Sequence, residues 1–274
     1  MRAPTSEASE PPPADKQPKG PKNYREVGCG TVSLYDADGQ RLHTVRYGRM
    51  PESQKTILCQ QLQAECQAIV ALQPRLKVVK LADGAKHNWR FLSALDLGIA
   101  PHPTEVWEIL DFYHACDHLK RATDLIWGEF TPKGKAEFER LKTLLKEADG
   151  GVNTVIRALQ YSVKKLRGHK RQPLTTELTY FRNQRLRMDY ATYLRQHLPI
   201  ASGVVEASCK TLVTQRLKQS GMRWTPAGGQ AMLTLRSLIQ SDRWERGWAL
   251  LSASYRKPVQ VSAAKHVYPL PLTA

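Results

Sequence analysis

Acidic residues are nearly absent from the second half of this 274-residue chain. Residues 151–274 carry five Asp and Glu against twenty Lys and Arg, while residues 1–150 carry twenty against twenty-one. Almost the whole net charge of +16 therefore sits in one half. Surfaces made only for solubility mix both signs, so the asymmetry points to a polyanionic partner, nucleic acid first. Long apolar runs are missing as well: no stretch of about 18 apolar residues could cross a membrane. No amphipathic segment suited to a membrane surface stands out. The opening residues have no apolar core of the signal-peptide kind, which sets the expectation of a cytoplasmic protein. Cysteine is sparse, at Cys29, Cys59, Cys66, Cys116 and Cys209. An odd number with no CxxC pair argues against a disulfide framework and against a zinc ribbon. Most of these thiols are expected to be small buried residues.

What is present is enough apolar residue, 41%, to fill a core. Residues 1–22 are rich in Pro, Ser, Lys and Glu without apolar periodicity and read as a linker that need not fold. EVGCGTVSLY (26–35), the turn sequence DADG and RLHTVRYG (41–48) predict a β-hairpin. A helix is predicted from Pro51 to about Leu72, because Ile57, Leu58, Leu62, Cys66, Ile69 and Val70 recur at three- and four-residue spacing. RLKVVKLADG (75–84) and WEILDFYH (107–114) read as strands, with a short helix over His87 to Leu95 between them. From about residue 115 to 250 helical periods dominate, and Pro226 falls in a first turn, where proline is tolerated. A hairpin followed by strands joined through helices predicts an α/β layer fold with a mixed sheet.

Asp83 ends an apolar strand, at the edge where open α/β sheets gather ligands, although Asp-Gly also simply makes turns. Asp111 and His114 end the next strand. His114 and His118 share a helix face at zinc-like spacing, but Ala115 stands where a metalloprotease helix needs its Glu, and no third ligand is evident. A helix start ordered by Asp111 and His114 is the simpler reading. Glu206 sits among apolar neighbours in SGVVEASCK (202–210), with Ser202 as its expected N-cap. Such an acid is costly unless paired or metal-bound, and an i,i+4 pair with Lys210 would explain it equally well. Lys210, Arg216, Lys218 and Arg223 interleave with aromatics, and a second basic cluster holds Lys164, Lys165, Arg167 and Arg171. Both suit phosphate neutralisation. Trp224, Trp244 and Trp248 fit a core better than base stacking.

Seven segments in order carry a resemblance. They are REVGCGTVSLYDADG (25–39), VVKLADGAKHNW (78–89), DFYHACDHL (111–119), YFRNQRLRM (180–188), LPIASGVVEASCK (198–210), SGMRW (220–224) and LTLRSLIQSDRW (233–244). Together they resemble insertion-sequence transposases of the ISKra type, relatives of Mutator-like transposases. The resemblance implies a ribonuclease-H-like core whose Asp-Asp-Glu triad binds two divalent ions, Mg²⁺ or Mn²⁺, to activate the attacking oxygen and stabilise the leaving one. It assigns Asp83 as the second acid and Glu206 as the third, each a metal ligand. It assigns Asp111 and His114 to an auxiliary Asp-x-x-His signature. DNA is the implied partner, held by a homo-oligomer.

The first acid of that pattern belongs on a strand preceding the REVGCG segment, and here the preceding part offers none. Asp15 lies in a proline-rich stretch, and Asp36 and Asp38 fall at the hairpin tip. The expectation is thus a C-terminal piece of a transposase with an incomplete ribonuclease-H-like mixed sheet, an inserted helical region and C-terminal helices. Its parts are a linker over residues 1–24, the incomplete core over 25–125, the helical insertion over 126–200, the helices bearing the catalytic Glu over 201–254 and an extended tail over 255–274. A missing central strand would expose backbone and apolar surface.

Overall fold

The computed structural model describes residues 2–4, 24–98 and 105–255. Most of the expected linker and tail lie outside those residues. Arg2–Pro4 (β1), at the start of that linker, pairs antiparallel with Tyr24–Glu26 (β2). The hairpin forms as its sequence dictates, from Gly28–Tyr35 (β3) and Arg41–Arg49 (β4). Its turn is closed by Asp36, whose Oδ1 accepts from the amides of Asp38 and Gln40, while Gly39 supplies the positive φ of 78°. Helix α1 spans Thr56–Leu72. It starts five residues after the expected Pro51, because Gln54 and Lys55 take left-handed backbone just before it.

Val78–Ala82 (β5), Lys86–Ala94 (α2) and Val106–Leu110 (β6) follow. The strand expected to run to His114 stops at Leu110. Asp111 accepts from the His114 amide at 2.8 Å and opens α3, Phe112–Trp127. An N-cap carboxylate outweighs the β propensity of the aromatics that follow it. β5 and β6 pair in parallel. Helices then dominate: α4 Pro132–Glu147, α5 Gly151–Lys165, α6 Arg171–Gln184, α7 Tyr190–Arg195, α8 Gly203–Ser208, α9 Gln215–Leu217, α10 Pro226–Gln240 and α11 Trp244–Ser254. Between α8 and α9, Cys209–Thr214 form a π-helical turn.

The chain is thus a mixed α/β protein with small sheets. The single mixed sheet expected from the element order is not formed. Among the described residues the strands make three separate two-stranded ladders. No described strand bridges the β3–β4 hairpin to the β5–β6 pair.

Two cores hold the elements. The larger joins Ile109 and Leu110 of β6 to α3 through α6 and to Met188, Tyr190 and Tyr193. It crosses the expected boundary at residue 125, so the helical region shares its core with the parallel strands. Leu119, Leu141, Leu159 and Phe181 are fully buried there, and each contributes about 1.5–3 kcal/mol. The smaller core sets Val27 and Met50, at the ends of the hairpin, against Leu212, Val213, Leu217 and Leu233. The hairpin is therefore covered by C-terminal helices almost 200 residues away in sequence.

Candidate active site

Parallel register places Ala82 opposite Leu110, so the next residues, Asp83 and Asp111, stand side by side at the carboxyl ends of β5 and β6. The Asp111 amide extends the ladder by donating to the Ala82 carbonyl at 2.9 Å. Asp83 is half-buried. Its Oδ1 accepts from the Ala85 amide at 3.0 Å and from Asn88 Nδ2 at 2.9 Å, and its carbonyl accepts from Trp89 Nε1 at 2.7 Å. These bonds fix the carboxylate and leave Oδ2 without a hydrogen-bond partner among the described residues. The Asp-Gly turn and the positioned acid are therefore one feature.

Asp111 is 2% exposed, and both its oxygens accept from backbone amides. Oδ1 caps α3, and Oδ2 accepts from the Ser202 amide. Each oxygen of this buried carboxylate thus has a hydrogen-bond donor. It acts as an anchor: together with the Phe112 amide bound to the Ile200 carbonyl at 2.9 Å, it straps the segment before α8 to the carboxyl end of the sheet.

Glu206 follows from that strap. Its amide donates to the Ser202 carbonyl at 3.1 Å, placing it in the first turn of α8, one turn from the Asp111 anchor. Ser202 precedes the helix as expected but makes no side-chain cap. The Glu206 side chain is exposed, and the ion pair with Lys210 that could explain it is not formed among the described residues. The π-helical turn after α8 is a geometry that often occurs near functional sites.

His114 lies edge-on to His118, with ring centroids 5.5 Å apart. No third metal-ligating side chain joins the pair among the described residues, and one ring nitrogen of His118 is engaged by α6. His118 Nδ1 donates to Glu177 Oε2 at 2.6 Å, and its ring stacks on Tyr180 with centroids 3.4 Å apart. Arg121 also reaches Glu177, at 3.4 Å. Tyr180 packs over Gly84, where a Cβ would overlap its ring, and its buried hydroxyl has no hydrogen-bond partner among the described residues. Burial and the neighbouring Asp83 charge push that phenol well above its ordinary range. Reasoning from sequence missed this group of Glu177, Tyr180 and His118. Its signal was the i,i+3 spacing of Glu177 and Tyr180 on α6 beside the i,i+4 pair of histidines on α3. Nearby, Arg187 pairs with Glu108 at 2.6 Å and lies 4.0 Å over the Trp89 ring.

The described residues do not fit a two-metal centre. No group of three or more His, Cys, Asp or Glu is placed to hold a metal ion. Both Asp111 oxygens accept from backbone amides, whereas one Asp83 oxygen accepts no hydrogen bond among the described residues. The eight basic residues singled out are all exposed: Lys164, Lys165, Arg167 and Arg171 about the junction of α5 and α6, and Lys210, Arg216, Lys218 and Arg223 about the π-helical turn. None forms an ion pair among the described residues. Lys165 lies over the Tyr161 ring at 4.2 Å. No helix among the described residues is long and apolar enough to cross a membrane. In comparisons with known proteins, the chain matches no protein-family model, no curated protein and no solved structure.

Proposed function

We propose that this chain is a DNA-binding component of an ISKra-type DDE transposase that does not cleave DNA on its own. One observation carries the reading. Asp83 and Asp111 end adjacent parallel strands, and Asp111 ties the segment leading to Glu206 to that same end of the sheet. This arrangement supports a ribonuclease-H-like descent for the β5–β6 half of the molecule. Among the described residues, no three carboxylates or other ligands come together to hold metal ions.

Unpaired cations on the second half supply the DNA contacts. If all eight engage phosphates, log Kd should rise with log salt with a slope of up to about 7. The test is a mobility shift of the purified chain on duplex DNA across a salt series, run beside a nicking assay in Mg²⁺ and in Mn²⁺. Salt-dependent binding without nicking is the expected result. Nicking that Glu206→Gln abolishes would show a complete site and overturn the claim of inactivity. Absence of binding at low salt would overturn the claim of function.

A second reading, a basic nucleic-acid-binding protein with no metal chemistry, is favoured by the lack of any three-ligand group among the described residues. Manganese binding separates the two. A Glu206-dependent Mn²⁺ site, seen by calorimetry on the chain with DNA bound, would support the transposase reading. Identical heats from Glu206→Gln would support the alternative.

A further inference from the structure

Among the described residues, β3 and β5 each have one hydrogen-bonded neighbour, β4 and β6 respectively. Their other edges meet a common cleft of about 580 Å³. A strand facing a cavity with its flat side lines it with every second residue. Here Thr31 to Ala37 line it consecutively, as do Arg75 to Leu81, while β4 and β6 contribute nothing. Both strands therefore present their edges, with unpaired backbone donors and acceptors.

The two edges run in opposite directions. At the hairpin tip a Cβ on Gly39 would lie 2.8 Å from the His197 carbonyl oxygen. Lys77, just before β5, donates to Gln196 Oε1 at 2.7 Å. The end of β3 thus lies near the start of β5. Any strand between them is parallel to one and antiparallel to the other, and both pairings are ordinary sheet geometry.

The walls are apolar, with Leu62 and Ile69 from α1, Leu92 from α2 and Val205 from α8. No residue of β5 is fully buried, although four of its five residues are apolar. A parallel strand of that composition is normally covered on all sides, and an open apolar edge is a template for another strand. Around the start of β5, Arg75, Lys77 and Lys80 face Asp36 alone among acids in the lining. The rim therefore favours a negatively charged flank on the occupant.

We propose that this cleft receives an extended apolar peptide strand with an acidic flank, donated by a partner polypeptide. It pairs with β3 and β5 at once and joins the two ladders into one sheet. A strand matching β5 to β3 in length has five to eight residues, about 17–26 Å. This inference stands on the open edges and does not depend on DNA or catalysis.

The test is hydrogen exchange of the full chain, read by mass spectrometry, with a synthetic peptide of roughly eight residues, two Glu followed by alternating Val and Ile. A control peptide has the same side chains with alternate amides N-methylated, which removes half its pairing donors. The expected result is slowing of exchange by about tenfold or more over both 31–35 and 77–81 with the first peptide and none with the control. Equal effects from both peptides would mean an apolar pocket rather than strand pairing, and would overturn the proposal. Protection of one edge only, or of neither, would also overturn it. Both edges protected before any peptide is added would mean that the chain or a second copy already fills the cleft, and the partner strand would be overturned as occupant.

Discussion

Glu65 and Arg243 are 178 residues apart in sequence, yet their side chains meet at 2.6 and 2.7 Å, with the Tyr47 hydroxyl donating to the same carboxylate at 2.6 Å. The hydrogen bonds from Arg243 hold the Glu65 carboxyl below its usual value of 4.5. A depressed folded-state value contributes stability above the unfolded value, and that stability is lost as pH falls through the folded one. Glu65→Gln should therefore cost about 1–2 kcal/mol at neutral pH and flatten the loss of stability below about pH 4.5, as followed by urea melts. Thiols differ in the same way. The hydrogen bond from Cys29 lowers Cys209 to about 7, whereas burial pushes Cys66 up to about 11 and Cys116 up to about 12. Iodoacetamide at pH 7.5 should modify Cys209 before Cys66 or Cys116, and Cys29→Ala, which removes the donor, should slow it. Peptide mapping showing the opposite order would refute the pairing. Neither partnership was visible in the sequence, because both join residues nearly 180 apart.

At the scale of elements, Asp111 and Glu206 make opposite predictions. Asp111 caps α3 and anchors the approach to α8, so Asp111→Ala removes a cap and strands a half-buried amide. The expected loss is about 2–4 kcal/mol. Glu206 is exposed with no ion pair among the described residues, so Glu206→Gln should change stability by less than about 0.5 kcal/mol. Denaturant midpoints of the two variants would check both, and a large loss from Glu206→Gln would assign it a structural role. The contact of α6 with the β5 turn gives a third test. Gly84→Ala should cost about 1–3 kcal/mol by overlap with Tyr180, while Tyr180→Phe, which deletes an unpartnered buried hydroxyl, should leave stability unchanged or raise it. Reading the sequence located β3, β4, β5 and α2 well, because each is bounded by turn chemistry such as Asp-Gly. It extended β6 too far, because the helix-starting role of Asp111 competes with the β-forming aromatics around it.

Across the whole molecule, charge and packing divide the labour. The first half builds all three ladders and α1 to α4, and the second half supplies the other helices and almost all of the net positive charge. Replacing Lys164, Lys165, Arg167 and Arg171 together by Gln should lower the salt slope of DNA binding by up to about 4 and leave the melting curve nearly unchanged, because these side chains are exposed and unpaired. An unchanged slope would place the DNA elsewhere, about Lys210 to Arg223.

The sequence by itself determined the basic second half, the hairpin, the order of elements and the carboxylates at strand ends. These follow from composition, turn chemistry and periodicity, which act over a few residues. Tertiary structure decided which acids are free. It buried both oxygens of Asp111 under backbone amides, left one oxygen of Asp83 open, exposed Glu206 and turned His118 toward Glu177 and Tyr180. It also left β3 and β5 facing one another across an unfilled cleft. These outcomes depend on hydrogen bonds and packing between segments up to about 200 residues apart, which no local pattern encodes.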